Sequence, residues 1–147
     1  MKFNFKLEKV LQHRKTLEDV AQRDFLQAEF ELRNERNKLT ILENEIVSAR
    51  DNAYRLQSVG GRASPGLVQV DTFIKGQEIR IDRQKERIKE CESLVENLRE
   101  ILRQKAIDYK IILELREKKL AQFKEERRYR EQKRNDDLNI MRYRRRE

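Results

Sequence analysis

Residues that break helices are almost missing from this chain. Its 147 residues hold one Pro and four Gly, and Trp is absent. Gly60, Gly61, Pro65, Gly66 and Gly76 share one 17-residue window, so residues 1–59 and 77–147 contain neither type. A sheet protein or a compact α/β enzyme needs a turn about every ten residues, and turns need such residues. Both classes are excluded. The single cysteine, Cys91, rules out an intrachain disulfide and suits a reducing compartment. No run approaches the ~18 apolar residues of a membrane-spanning helix, and Met1–Phe5 lacks the apolar core of a signal peptide. A cytosolic protein with no direct membrane insertion is expected.

Charge is abundant instead. Asp, Glu, Lys and Arg make up 42% of the chain, against about a quarter in an ordinary domain. The hydrophobic fraction is 37% and the mean hydropathy is −1.01, too low for a thick globular core. The net charge of +8 is uneven. Residues 1–57 and 58–115 each hold 11 basic and 10 acidic groups, whereas residues 116–147 hold 13 and 7. The excess belongs to one end and favours an acidic partner.

The apolar residues are regularly spaced. A 3-4 row runs Leu7, Leu11, Arg14, Glu18, Ala21, Phe25, Ala28, Leu32, Glu35, Leu39, Leu42, Ile46, Ala49, Ala53, Leu56, with twelve of fifteen positions apolar. Such a heptad seam specifies a left-handed coiled coil. The exceptions, Arg14, Glu18 and Glu35, weaken the seam and can fix its register. A second row runs Leu67, Val70, Ile74, Gln77, Ile81, Gln84, Ile88, Cys91, Val95, Leu98, Leu102. There a four-residue step to Ala106, rather than the strict heptad's Lys105, continues the row through Tyr109, Leu113, Arg116, Leu120 and Phe123. That stutter locally unwinds the supercoil. Beyond it the row reads Arg127, Arg130, Arg134, so the seam turns basic.

The fold expected is all-α: two long helices forming an antiparallel coiled-coil hairpin, with a C-terminal helical overhang. Residues 1–147 form one coiled-coil domain, with helix 1 over about 4–57, a tip loop over about 58–66 and helix 2 over about 67–140. Ser64 can cap helix 2 with Pro65 at its first position, and Asp71 is a second possible cap. Pairing about residue 62 sets residue i opposite roughly 124 − i, which extends the arms about 80 Å and leaves residues from about 122 as the overhang.

No catalytic set is visible. The only histidine is His13, and one His with one Cys cannot supply a closed zinc site. The carboxylates alternate with Lys and Arg at helical spacing, as surface pairs do. No phosphate-binding loop is present. The protein is read as a non-enzyme with no cofactor. Tyr54, Phe73 and Ile74 flank the tip, either closing the coil or forming a contact surface. Phe3, Phe5 and Phe123 are expected to pack together. Tyr129 and Tyr143 stand among arginines, where aromatic and Arg residues commonly anchor interfaces.

Three stretches give the chain its resemblance to the FliJ family of the bacterial flagellar type III export apparatus. The opening Phe3-Asn4-Phe5-Lys6-Leu7-Glu8-Lys9-Val10-Leu11, followed by Arg14, is similar to the family's F-x-F-x-L-x-x-V-L-x-x-R start. Phe73-Ile74, then Ile81, Gln84 and Ile88, looks like its second-helix start. Arg130-Glu131-Gln132-Lys133-Arg134-Asn135-Asp136-Asp137, then Met141-Arg142-Tyr143-Arg144, resembles its basic tail, with Asn135 where a hydrophobic residue is common. The resemblance implies a hairpin similar to the central stalk of rotary ATPases. Its terminal segments would enter the hexameric export ATPase and promote its assembly and activity. The part nearer the tip would engage the large export-gate membrane protein, and export chaperones would be further partners. The implied location is the cytoplasm, peripheral to the inner membrane.

Under that resemblance the ATPase-ring contacts are Phe3, Phe5, Leu7, Arg14, Arg127, Arg128, Arg130, Lys133, Arg134 and Arg142. The export-gate contacts are Tyr54, Phe73, Ile74, Gln77 and Gln84. Alternative readings are a stalk protein of a virulence injectisome or a V-type ATPase, and a basic coiled coil binding nucleic acid. The last is disfavoured because Glu125, Glu126, Glu131, Asp136 and Asp137 interrupt the basic patch and a Gly/Pro tip intervenes.

Overall fold

A computed structural model describes residues 2–60 and 65–146. Two helices account for nearly all of them: α1 (Glu8–Gly60, 53 residues) and α2 (Pro65–Arg146, 82 residues). No strand occurs among the described residues. The fold is the all-α hairpin that the breaker-free composition and the heptad rows predict.

The helix boundaries differ from the sequence expectation: the tip loop expected over about 58–66 is shorter, because α1 runs on to Gly60 and α2 already starts at Pro65. α1 begins at Glu8 rather than near residue 4, because Phe3 and Phe5 leave the helical path to reach α2. Asp71 is not a cap; it lies inside α2 and pairs with Lys75 at 3.0 Å. α2 continues to Arg146, and its last turn carries Arg144, Arg145 and Arg146, which suit the negative end of a helix dipole. Pro65 is the first residue of α2, where its missing N–H costs nothing. Gly61, Ser64 and the rest of 61–64 lie outside the described residues.

The chain divides into two compact units. One comprises residues 21–102 and the other residues 1–20 with 103–147. In the first, Ala28, Leu32, Ile88 and Val95 form a buried cluster against which Phe25, Leu39, Cys91 and Leu98 pack. These are seam positions from both rows. Burying each large aliphatic side chain contributes about 1.5–3 kcal/mol, so the seam carries most of the stability that the low hydrophobic content allows. The pairing is antiparallel: Arg99 lies over the Phe25 ring at 5.6 Å, and Arg36 Nη2 meets Glu92 Oε1 at 3.3 Å.

Two seam positions of this unit are polar yet buried. Glu35 is 6% exposed and Gln77 1%. Glu35 accepts from Gln84 Nε2 at 2.6 Å and pairs through Oε1 with Lys38 (3.2 Å) and Arg87 (3.3 Å). The Gln84 hydrogen bond, reinforced by Lys38 and Arg87, holds the Glu35 carboxyl below the usual carboxylate range against the opposing effect of burial. Gln77 Nε2 donates to Glu45 Oε2 and to the Leu42 carbonyl, and its Oε1 accepts from Arg80 Nη1 at 2.8 Å. Buried amides and carboxylates persist only when satisfied in this way.

In the second unit the N-terminal arm, residues 2–7, packs on α2. Phe5, Leu11 and Ile112 form its buried cluster, with Phe3, Tyr109, Leu113 and Leu115 against them. Here the shifted row that the stutter predicts is half-buried throughout, at Ala106, Tyr109, Leu113, Arg116, Leu120 and Phe123, whereas Lys119 of the strict heptad is exposed. Ile112, which belongs to the strict heptad, is 7% exposed, while Lys105 and Ala106 are both half-buried. Phe5 adds a third layer to the two helices, and Ile112 is buried against it beside the shifted row.

Candidate functional site

Two surfaces gather the residues that the sequence singles out, one in each unit. The first is built on the arm and the C-terminal part of α2. Phe5 O accepts from Glu8 N at 3.2 Å, which turns the chain into α1. Glu8 in the first helical turn complements the dipole and also binds Arg116 Nε at 3.1 Å. Arg116 in turn lies over the Phe3 ring at 5.9 Å, and Phe3 meets Phe123 with ring centroids 5.6 Å apart. Arg14 Nη1 donates to the Asp108 carbonyl at 2.8 Å. Lys15 Nζ sits 5.1 Å from the Tyr109 ring centroid and binds Asp19 at 3.4 Å; the Asp19 hydrogen bond and the Glu18 charge raise its pKa. The arm is therefore fixed by a chain of ring, cation and carboxylate contacts.

This settles the surroundings of four expected contact residues. Phe5 is buried, Phe3 and Arg14 are half-buried, and Leu7 is 37% exposed. Their main interactions are with this unit's own residues. Arg127, Arg128, Arg130, Lys133, Arg134 and Arg142 lie on the C-terminal part of α2. Every residue from 124 to 146 is exposed and helical, and this segment holds ten basic and five acidic groups. Arg127 pairs with Glu131 at 3.4 Å, an exposed i,i+4 contact worth only a few tenths of a kcal/mol, about 0.3–0.5. The segment is an exposed helix with a net basic charge.

The second surface lies in residues 21–102. A groove of about 680 Å³ is lined by Ile41, Ala49, Leu56, Gly66, Val70 and Phe73 together with the polar Asn44, Glu45, Ser48, Asn52 and Gln69. A neighbouring groove is lined by Lys38, Ile41, Leu42, Arg80, Arg83, Gln84 and Arg87. Phe73 is 41% exposed and opens onto the first groove. Tyr54 is 75% exposed and is not among the lining residues. Ile74 is half-buried in the seam. Gln77 and Gln84 are committed to Glu45, Leu42 and Glu35, so a partner reaches Gln77 only if the helices part.

Sequence reasoning missed Ile41, which is 57% exposed and borders both grooves. It also missed Lys38, Arg80 and Arg87 as groove walls. A signal was present: Phe73, Arg80 and Arg87 recur every seven residues, immediately before seam positions, and so line one flank.

Among the described residues no group of three or more His, Cys, Asp or Glu is placed to hold a metal ion. No helix among them is long and apolar enough to cross a membrane. The arrangement offers docking surfaces of defined charge. Comparison with protein families gives a match to the family described as flagellar FliJ protein, over residues 2–147. No curated protein and no solved structure matches the chain.

Proposed function

We propose, from the premise that this chain belongs to the flagellar FliJ family, that it is a non-enzymatic stalk and adaptor of the flagellar protein export apparatus. The observation that carries this reading is the C-terminal helix: residues 124–146 are all exposed and carry a net charge of +5. Inserted in the hexameric export ATPase, this helix meets pore-lining carboxylates and carbonyl groups. Long-range attraction speeds its entry more than it adds final affinity. A single helix also shows different side chains to different ring subunits, which biases their nucleotide states.

The arm residues act at one remove in this mechanism. Phe3, Phe5 and Arg14 hold residues 2–7 against α2, and Leu7 is the arm's exposed apolar contact. Arg127, Arg128, Arg130, Lys133, Arg134 and Arg142 meet the ring directly. The groove bordered by Ile41 and Phe73, with Tyr54 nearby in sequence to its wall residues, receives the large export-gate membrane protein. Ile74, Gln77 and Gln84 support that surface from within. Export chaperones are further partners, and the protein works in the cytoplasm beside the inner membrane.

The test is a pull-down with the hexameric export ATPase followed by a turnover assay. Co-purification and a raised turnover are expected. An ATPase that neither retains the chain nor responds to it contradicts the proposal.

A further inference from the structure

The exposed C-terminal helix has two chemically opposed faces. Its seam side continues the second heptad row as Phe123, Arg127, Arg130 and Arg134. Two residues further along the chain is about 200° around an α-helix, so the row starting at Glu125 lies on the opposite side. That row is Glu125, Tyr129, Gln132, Asp136, Asn139 and Tyr143, at unbroken 4-3-4-3-4 spacing. Ten of the 23 residues from 124 to 146 are Lys or Arg, yet none of these six is. The cations are therefore confined to the rest of the surface, leaving an acidic and aromatic strip.

Within the strip, Tyr129, Asp136 and Tyr143 recur every seven residues, each step advancing about 10 Å along one line of the helix. The two tyrosines are 70% and 68% exposed. A carboxylate between two open phenol faces is a site for cations: arginine and lysine groups stack on Tyr rings, and the carboxylate fixes a neighbouring one. The charge of this strip repels the acidic surface that suits the arginine row.

We propose that Tyr129, Asp136 and Tyr143 form a second contact line, which docks a row of arginine or lysine side chains on the partner protein. This rests on the stalk reading and deepens it. The helix meets carboxylates on one side and cations on the other, so the ring distinguishes its rotational orientations by charge sign.

The test uses the full chain with the hexameric export ATPase, recording the half-saturating concentration for stimulation and its salt dependence. Tyr129→Ala with Tyr143→Ala is expected to raise that concentration about fivefold to thirtyfold. Alanine favours helix, and far-ultraviolet circular dichroism confirms that the segment is retained. Tyr129→Phe with Tyr143→Phe keeps the ring faces and stays near wild type. Asp136→Lys weakens stimulation. A wild-type half-saturating concentration for the double alanine variant, or tighter binding by Asp136→Lys, overturns this inference alone. A wild-type chain that leaves the ATPase unstimulated overturns the stalk reading itself.

Discussion

Gln84 Nε2 donates to Glu35 twice, to its backbone carbonyl at 2.8 Å and to its carboxylate at 2.6 Å. The contact joins α1 to α2 across 49 residues of sequence and lies where an apolar pair would otherwise fill the seam. A slipped register would leave the Glu35 carboxylate buried and without its amide partner, a state disfavoured by about 1–3 kcal/mol. The polar layer thus selects one alignment of the helices.

A pH dependence follows from this layer. The Glu35 carboxyl is held below its ordinary value, chiefly by Gln84. Its contribution to stability is therefore present above the ordinary carboxylate pKa and is lost as pH falls through the lowered folded value. Urea denaturation between neutral pH and about pH 3 is expected to show this loss in the wild type and a shallower one in Glu35→Gln.

Ile88 is 7% exposed in the cluster with Ala28, Leu32 and Val95. Ile88→Ala removes a seam side chain and leaves a cavity, at an expected cost of about 2–5 kcal/mol. Chemical denaturation monitored by helical circular dichroism measures it. Cys91→Ala, at a half-buried position beside the same cluster, costs less.

Gly76 gives the opposite sign. It lies within α2, and a Cβ added there meets nothing within 4 Å. Gly76→Ala is expected to stabilise the protein by about 0.5–1 kcal/mol, read as a higher denaturation midpoint.

Phe5 anchors the arm, being 9% exposed against Leu11 and Ile112. Phe5→Ala should cost about 3 kcal/mol and make residues 2–7 more sensitive to limited proteolysis. Lys2→Ala, at an exposed position, leaves the cleavage rate unchanged.

Much of the helical pattern was legible because its signals are periodic. Ala28, Leu32, Ile88 and Val95 are seam residues in the sequence and core residues in the structure. Glu8 faces Arg116, and Phe25 faces Arg99, as pairing residue i with roughly 124 − i requires. What was hidden depends on non-periodic packing. The arm's departure from helix at residues 2–7 follows from where Phe3 and Phe5 find partners on α2, and no local propensity reports that. Ile112 is buried because Phe5 widens the core. Gln77 and Gln84 read as contacts because an amide in an apolar row shows its polarity but not the Glu45 and Glu35 that satisfy it. The basic excess of the last 32 residues was visible in composition; its separation from a Tyr-bearing strip required placing the whole segment on one continuous helix.

Under the stalk reading, the basic C-terminal helix stimulates the export ATPase. The most direct test is turnover of the hexameric ATPase with the wild-type chain and with the triple variant Arg128→Glu, Arg130→Glu, Arg134→Glu, both checked for helical content. Strong loss of stimulation by the triple variant, with the helices intact, is expected. Full stimulation by that variant would contradict the stalk reading.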